Sequence, residues 1–408
     1  MKCRFCNTEL NRIFADLGTA PPSNSFLASS QLMSGEVYYP LKVFVCDQCF
    51  LVQLDEFKKS TEIFSEDYVY FSSVSTSWLE HAKKYVHKMW EKLPLTHDSF
   101  VIEIASNDGY LLQYVKECGI TCLGIEPTSS TTKIAKAKGI DVLEEFFGTA
   151  LATELKNTGR QADLLLGNNV LAHVPDINDF VEGLSIALKP TGTVTMEFPH
   201  LMKLIVEGQF DTIYHEHFSY LSFSTVNTIF AAHGLVMYDV EELPTHGGSL
   251  RIYAKHADNV TIAVSDAVAK LLDQERNAGM LTLEYYEFFS TRVETIKNDF
   301  VEFLIAQKRV GKKVAAYGAA AKGNTLLNFA GIRRDLIEFV ADRAESKQGK
   351  WLPGSRIPVV PESHLKETWP DYVVLFPWNI RAELEKQLAY IRDWEGKFVT
   401  IMPKLKIN

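Results

Sequence analysis

No stretch of the 408-residue chain approaches the roughly 18 uninterrupted apolar residues that a membrane-spanning helix needs, and no apolar signal segment stands at the N-terminus. The expectation is a cytoplasmic protein without a membrane partner. Basic residues are also in deficit. With 42 Lys and Arg against 51 Asp and Glu, the net charge of −9 argues against a nucleic-acid partner, though a local cationic pocket for a phosphorylated metabolite stays open. Internal repeats and low-complexity tracts are absent, and nothing calls for an obligate protein partner. What is present is ordinary: 46% apolar and 23% charged residues exclude long disorder, and the length suffices for two or three domains with real cores.

The chain is organised around FVIEIASNDGYLLQYVKECGITCLGIEPT, Phe100 to Thr128. An apolar run from Val101 to Ala105 is followed by the polar turn Ser106 to Gly109, a helix-like stretch from Tyr110, and a second β-rich run, Cys122 to Ile125, that ends at Glu126. Strand, tight loop, helix, strand, acid is the start of a doubly wound α/β unit. A nicotinamide fingerprint would place G-x-G-x-x-G at the first turn; here the turn is I-A-S-N-D-G. Glu103, an acid inside the first strand, suits a ligand that carries a cation, such as the amino-acid end of S-adenosylmethionine. The cofactor is therefore expected over Ala105, Asn107 and Gly109, with Glu126 on its ribose. Asn168 and Asn169 end a later strand at the same carboxyl edge and are further cofactor candidates. Seven strands with a terminal hairpin, Leu235 to Val240 and Ser249 to Tyr253, favour methyl transfer over hydride transfer.

Of only six cysteines, four form two C-x₂-C pairs, Cys3/Cys6 and Cys46/Cys49, separated by 39 residues. Two close thiolate pairs match the tetrahedral demand of zinc, and a closed Cys₄ set leaves no position for substrate. The metal is expected to be structural. Between the pairs, Leu17, Gly18, Pro21, Pro22 and Asn24 read as loop, and Tyr39 to Val45 as a strand.

Candidate chemistry lies elsewhere. Tyr214, His215, Glu216 and His217 sit in an insertion after the fifth strand, and two imidazoles flanking a carboxylate suit acid–base work, with the acid setting a tautomer. H-x-H without a clear third ligand argues against a second metal, and satisfied structural histidines are the plain alternative. His173 is four residues beyond Asn169 and would share a helical face with it. His246 precedes Gly247 and Gly248 at the start of the last strand, and Tyr68 and Tyr70 occupy a stretch too polar for a core strand and too aromatic for a linker. A second α/β pattern begins at Lys313; Gly318 to Gly323 forms a small-residue loop, and Lys322 and Lys347 are candidate phosphate contacts.

The fold expected is α/β: a small Cys₄ zinc domain (residues 1–75), a central seven-stranded Rossmann-like domain (76–258), and a helical connection with a C-terminal Rossmann-like domain (259–408). CRFC, CDQC, YVYFSSVS, EIASNDGYLL, GIEP, NNVLAHVPD, YHEHFSY and HGGSLR, in this order, closely resemble the zinc-containing, S-adenosylmethionine-dependent sugar C-methyltransferases that act on nucleotide-linked ketosugars. The resemblance spans essentially the whole chain. It implies methylation at C3 of a dTDP-linked 4-keto-6-deoxysugar, with His217 as base, Glu216 beside it, Tyr214 at the cleft, and Tyr68 or Tyr70 lining the sugar site. His217 would take the C3 proton while Tyr68, Tyr70 or His173 supports charge on the C4 oxygen. His215 is the competing imidazole and, with His246, is assigned to the substrate. The alternatives are a sugar O-methyltransferase, a nicotinamide oxidoreductase and a nucleotide-binding scaffold.

Overall fold

The computed structural model describes residues 1–59, 62 and 71–408. Three sheets follow one another. In the first, β1 (Arg12–Ala20), β2 (Tyr39–Val45) and β3 (Val52–Leu54) run antiparallel. Alternation on β2 turns Leu41, Val43 and Val45 inward, the period-2 signature of a half-buried strand. Leu17 and Gly18, expected in a loop, belong to β1. The ladder slips between Asp16 and Thr19, where Gly18 takes a φ of 71°, and this bulge lets the strand continue until Pro21.

The central sheet consists of β4 (Phe100–Ile104), β5 (Thr121–Ile125), β6 (Val142–Leu143), β7 (Ala162–Asn168), β8 (Leu188–Pro199) and, after the short β9 (Ser219–Tyr220), β10 (Leu235–Leu243) and β11 (Ser249–His256). Its order is β6-β5-β4-β7-β8-β11-β10, with β11 antiparallel to both neighbours. This is the seven-stranded sheet with a terminal hairpin that the sequence led us to expect. Pro190 to Gly192 lie inside β8. Leu188 pairs with Ala162, the next four residues loop out, and pairing resumes at Thr193. β9 does not join this sheet; it pairs with β3, so the insertion carrying the histidines completes the N-terminal sheet.

Helices Asp266–Ala278 and Phe289–Arg309 lead to the third sheet; the first ends at Gly279, which takes the left-handed conformation that ends a helix. The strands are β12 (Val314–Tyr317), β13 (Val340–Ala341), β14 (Val359–Val360), β15 (Tyr372–Leu375), β16 (Lys397–Thr400) and β17 (Lys406–Ile407), ordered β14-β13-β12-β15-β16-β17. Both large sheets thus reverse direction beside their first strand, at β4/β7 and at β12/β15, and each reversal opens a crevice at the carboxyl ends. One buried apolar cluster runs from Phe14 and Val43 through Leu201 and Ile205 to Phe300, Val314 and Val399. Phe14 stacks on Phe289 at 4.4 Å. Among the described residues no helix is long and apolar enough to cross a membrane.

Candidate active site

A cavity of about 520 Å³ joins the two crevices. On the central-domain side its wall includes Ala105, Asn107, Glu126, Asn168 and Asn169. The loop after β4 is tightly wound: Ala105, Asn107 and Gly109 have φ of 56°, 50° and 74°. Asparagine and glycine tolerate this conformation, whereas alanine is held there at a cost of about 1 to 2 kcal/mol. Glu126 supplies part of the hold, its two carboxylate oxygens accepting the Asn107 and Thr128 N–H groups at 3.0 Å each. Burial raises its pKa and those bonds oppose the rise. Ser72 donates its N–H to Asn107, and Ser73 bonds Asp108, so the chain entering the helix Thr76–Lys92 is tied to the same loop. Asn168 donates to the Tyr110 phenol at 3.1 Å, and Asn169 to His246 Nε2 at 2.9 Å.

Glu103 and Gly109 are not on the wall. Strand alternation puts Glu103 on the same face of β4 as Val101, where it is fully buried in the layer of Tyr85 and Tyr110. Burial raises its pKa well above the ordinary value, disfavouring the charged form, and the carboxyl lies beneath the loop and off the cavity wall. Gly109 faces away, where an added Cβ would stand 2.4 Å from Ile140 Cδ1.

The insertion contributes Tyr214, Glu216 and His217 to the wall, and the turn after β7 contributes His173. His217 Nδ1 lies 2.8 Å from the Thr212 carbonyl. A carbonyl can only accept, so Nδ1 carries the proton and Nε2 holds a lone pair. The Tyr214 ring packs at 4.0 Å and the His173 ring at 4.6 Å from that of His217. Burial, then the neighbouring His173, drives the His217 pKa well below its usual value; burial takes His173 to about 4 and, with Lys322, His246 to about 4. All three imidazoles are neutral at neutral pH.

Glu216 does not set the His217 tautomer, as the sequence suggested; the Thr212 carbonyl does. Its carboxyl turns instead to Asn24 of the N-terminal domain, accepting at 2.6 Å, and burial raises its pKa to about 7. His215 points out of the cavity, against the Pro40 carbonyl and the Tyr39 ring, which fits the structural alternative. His173 reaches the mouth from the 3₁₀ turn Leu171–His173 and Asn169 from the left-handed bend before it, not from a shared helical face. Tyr68 and Tyr70 lie outside the described residues.

The C-terminal domain closes the cavity with Lys322, Lys347, Pro377 and Asn379. Lys322 sits 4.6 Å over the Trp378 ring and 3.3 Å from Asn379, and burial lowers its pKa. Lys347 donates to the Ala319 carbonyl at 2.9 Å. Sequence reasoning missed Trp78, Phe146, Phe147 and Thr212 on this wall. The aromatic pair after β6 was legible as apolar side chains beyond a strand end; Thr212 carries no local signal, since its carbonyl does the work.

The four N-terminal cysteines converge, their sulfurs all within 4.8 Å of one another. Cys3–Cys49 and Cys6–Cys46 are 3.5 Å apart and Cys6–Cys49 is 3.7 Å, close to the roughly 3.8 Å edge of a tetrahedron with zinc–sulfur bonds of about 2.3 Å. Gln53 adds an N–H donor to Cys3 Sγ at 3.2 Å. None of the four lines the cavity, so zinc held here is structural.

Three family descriptions match in succession: a zinc binding domain at residues 3–64, a methyltransferase domain at 78–240 and a C-methyltransferase C-terminal domain at 244–403. The C-methyltransferase NovU of Streptomyces niveus is 32% identical over 406 residues, covering 100% of this chain and 96% of that protein. The ubiquinone biosynthesis O-methyltransferase of Bartonella tribocorum is 28% identical over 93 residues, 22% of this chain and 38% of that protein. Among solved structures, an S-adenosylmethionine-dependent methyltransferase from Mesorhizobium loti aligns with 44% of this chain and 100% of its own at 15% identity, with a TM-score of 0.36.

Proposed function

Since the chain belongs to the S-adenosylmethionine-dependent C-methyltransferases with an N-terminal zinc domain, we propose that its methyl acceptor is C3 of a nucleotide-linked 4-keto-6-deoxysugar, with dTDP as the carrier. The observation that carries the reading is the free Nε2 of a buried, neutral His217 in a cavity shared by two strand-reversal crevices. One crevice suits the cofactor, with Ala105, Asn107, Glu126, Asn168 and Asn169 around it. The other suits the nucleotide diphosphate, with Lys322 and Lys347 as its cations. In this reading residues 1–75 carry the metal, 76–258 the cofactor and 259–408 the nucleotide.

Carbon beside a ketone is acidic enough for an imidazole once the enolate is stabilised. His217 Nε2 takes the C3 proton while Nδ1–H stays on Thr212. His173, and a tyrosine from Tyr214, Tyr68 or Tyr70, supports charge on the C4 oxygen. Glu216, held by Asn24, and His246, held by Asn169, confine the sugar beside them. Bound S-adenosylmethionine supplies the methyl group. What the chain adds is orientation within the cavity, worth several orders of magnitude in rate.

Substrate deuterated at C3 tests this directly. Wild type should lose the label and gain a C3 methyl group visible by NMR, and His217→Asn should slow both by roughly 10²- to 10⁴-fold with substrate still bound. A methyl ether with the label retained would convert the reading to O-methylation. Unchanged label loss in His217→Asn would remove the base.

A further inference from the structure

The peptide that holds the His217 proton is clamped from the C-terminal domain. Thr212 provides the carbonyl, and the residues on either side of it are each tied to that domain. Asp211 accepts the Trp378 indole N–H at 2.7 Å, and the Ile213 carbonyl accepts the Thr325 hydroxyl at 2.8 Å. Asp211 and Thr325 are both about 2% exposed, so neither bond has water as an easy substitute. The neighbouring Asn324 donates to the Ser23 carbonyl, one residue before the Asn24 that holds Glu216. Trp378 also carries Lys322 on its face, so the crevice assigned to the nucleotide and the clamp on the base share one side chain.

We propose that Thr325 and Trp378 are positioning residues for His217, fixing the Thr212 carbonyl so that the imidazole presents an unprotonated Nε2 to the cavity. The inference rests on His217 being the base. It gives the C-terminal domain a part in proton abstraction beyond holding substrate.

Thr325→Val removes the hydroxyl and keeps the shape, and Trp378→Phe removes the indole N–H and keeps a ring. In the double variant kcat should fall about 10- to 100-fold, the loss expected when a reacting group is misplaced by about an ångström. KM for the sugar nucleotide and cofactor affinity should stay within about threefold. The ¹⁵N spectrum of labelled histidine should show His217 passing from a single Nδ1–H tautomer to a mixture, and Thr325→Ser should keep the wild-type spectrum and rate. A folded double variant with wild-type kcat and an unaltered spectrum overturns the proposal. So does a parallel collapse of kcat, KM and cofactor affinity, the mark of a merely structural role. Should the double variant not fold, Thr325→Val against Thr325→Ser gives the same readouts. An unchanged rate in His217→Asn would remove the underlying reading; an unaltered His217 spectrum in Thr325→Val would remove this one, whichever way the former falls.

Discussion

Glu216 is the residue whose protonation speaks most directly to stability. Burial raises its pKa from an ordinary 4.5 to about 7, so between those values the unfolded chain has released a proton that the folded chain keeps. Stability therefore falls as pH rises through that window. His173 and His246 act in the opposite sense: their pKa values drop from 6.5 to about 4, the unfolded chain takes up protons first, and stability is lost as pH falls through that range. Glu216→Gln should remove the loss on the alkaline side and stabilise the protein at pH 8 by of order 1 to 3 kcal/mol relative to pH 5. Melting curves of both proteins from pH 4 to 8 would show it, and parallel profiles would refute it.

Among the elements, the loop after β4 depends on an acid acting as a two-handed acceptor. Glu126→Gln keeps the volume but offers one acceptor oxygen to two backbone N–H groups, leaving one facing an amide NH₂. Leaving a buried donor unmet costs about 1 to 3 kcal/mol, so cofactor affinity by calorimetry should weaken roughly 5- to 150-fold. Wild-type affinity would show that the loop keeps its shape without the second bond. At the N-terminus, the turns carrying Cys3/Cys6 and Cys46/Cys49 are joined by their sulfurs. Freshly purified protein should hold about one zinc per chain, and Cys46→Ser should impair folding more than the methyl-transfer step of whatever folds. Metal analysis of folded protein without zinc would overturn the assignment.

For the whole molecule, the shared core sets the limit on dissection. Phe14 of β1 packs on Phe289 and Tyr286 of the helical connection, and the same buried cluster reaches β12 and β16. A fragment ending at residue 258 would expose that face of the first sheet, so it should aggregate or melt without a cooperative transition by calorimetry. A monodisperse fragment with a sharp melt would show that the central domain stands without the helices behind it.

The readable features were those encoded in local spacing. C-x₂-C pairs imply a tetrahedral metal because one turn delivers two sulfurs, and the seven-strand order followed from apolar runs punctuated by polar turns and an acid at the second strand end. The family motifs brought His217, Glu216 and Tyr214 into view as a group. Which way each side chain turns was not encoded locally. Strand pairing of β9 with β3 sends His215 into the N-terminal sheet and leaves His217 in the cavity, and alternation along β4 buries Glu103 beneath the loop, off the cavity wall. Tertiary structure alone decided that Glu216 answers to Asn24, 192 positions away, and that Thr212, bracketed by Trp378 and Thr325, holds the proton of His217. These partners are backbone groups and distant side chains with no spacing to read, and they meet only because the insertion after β8 packs with the first and third sheets in one buried cluster.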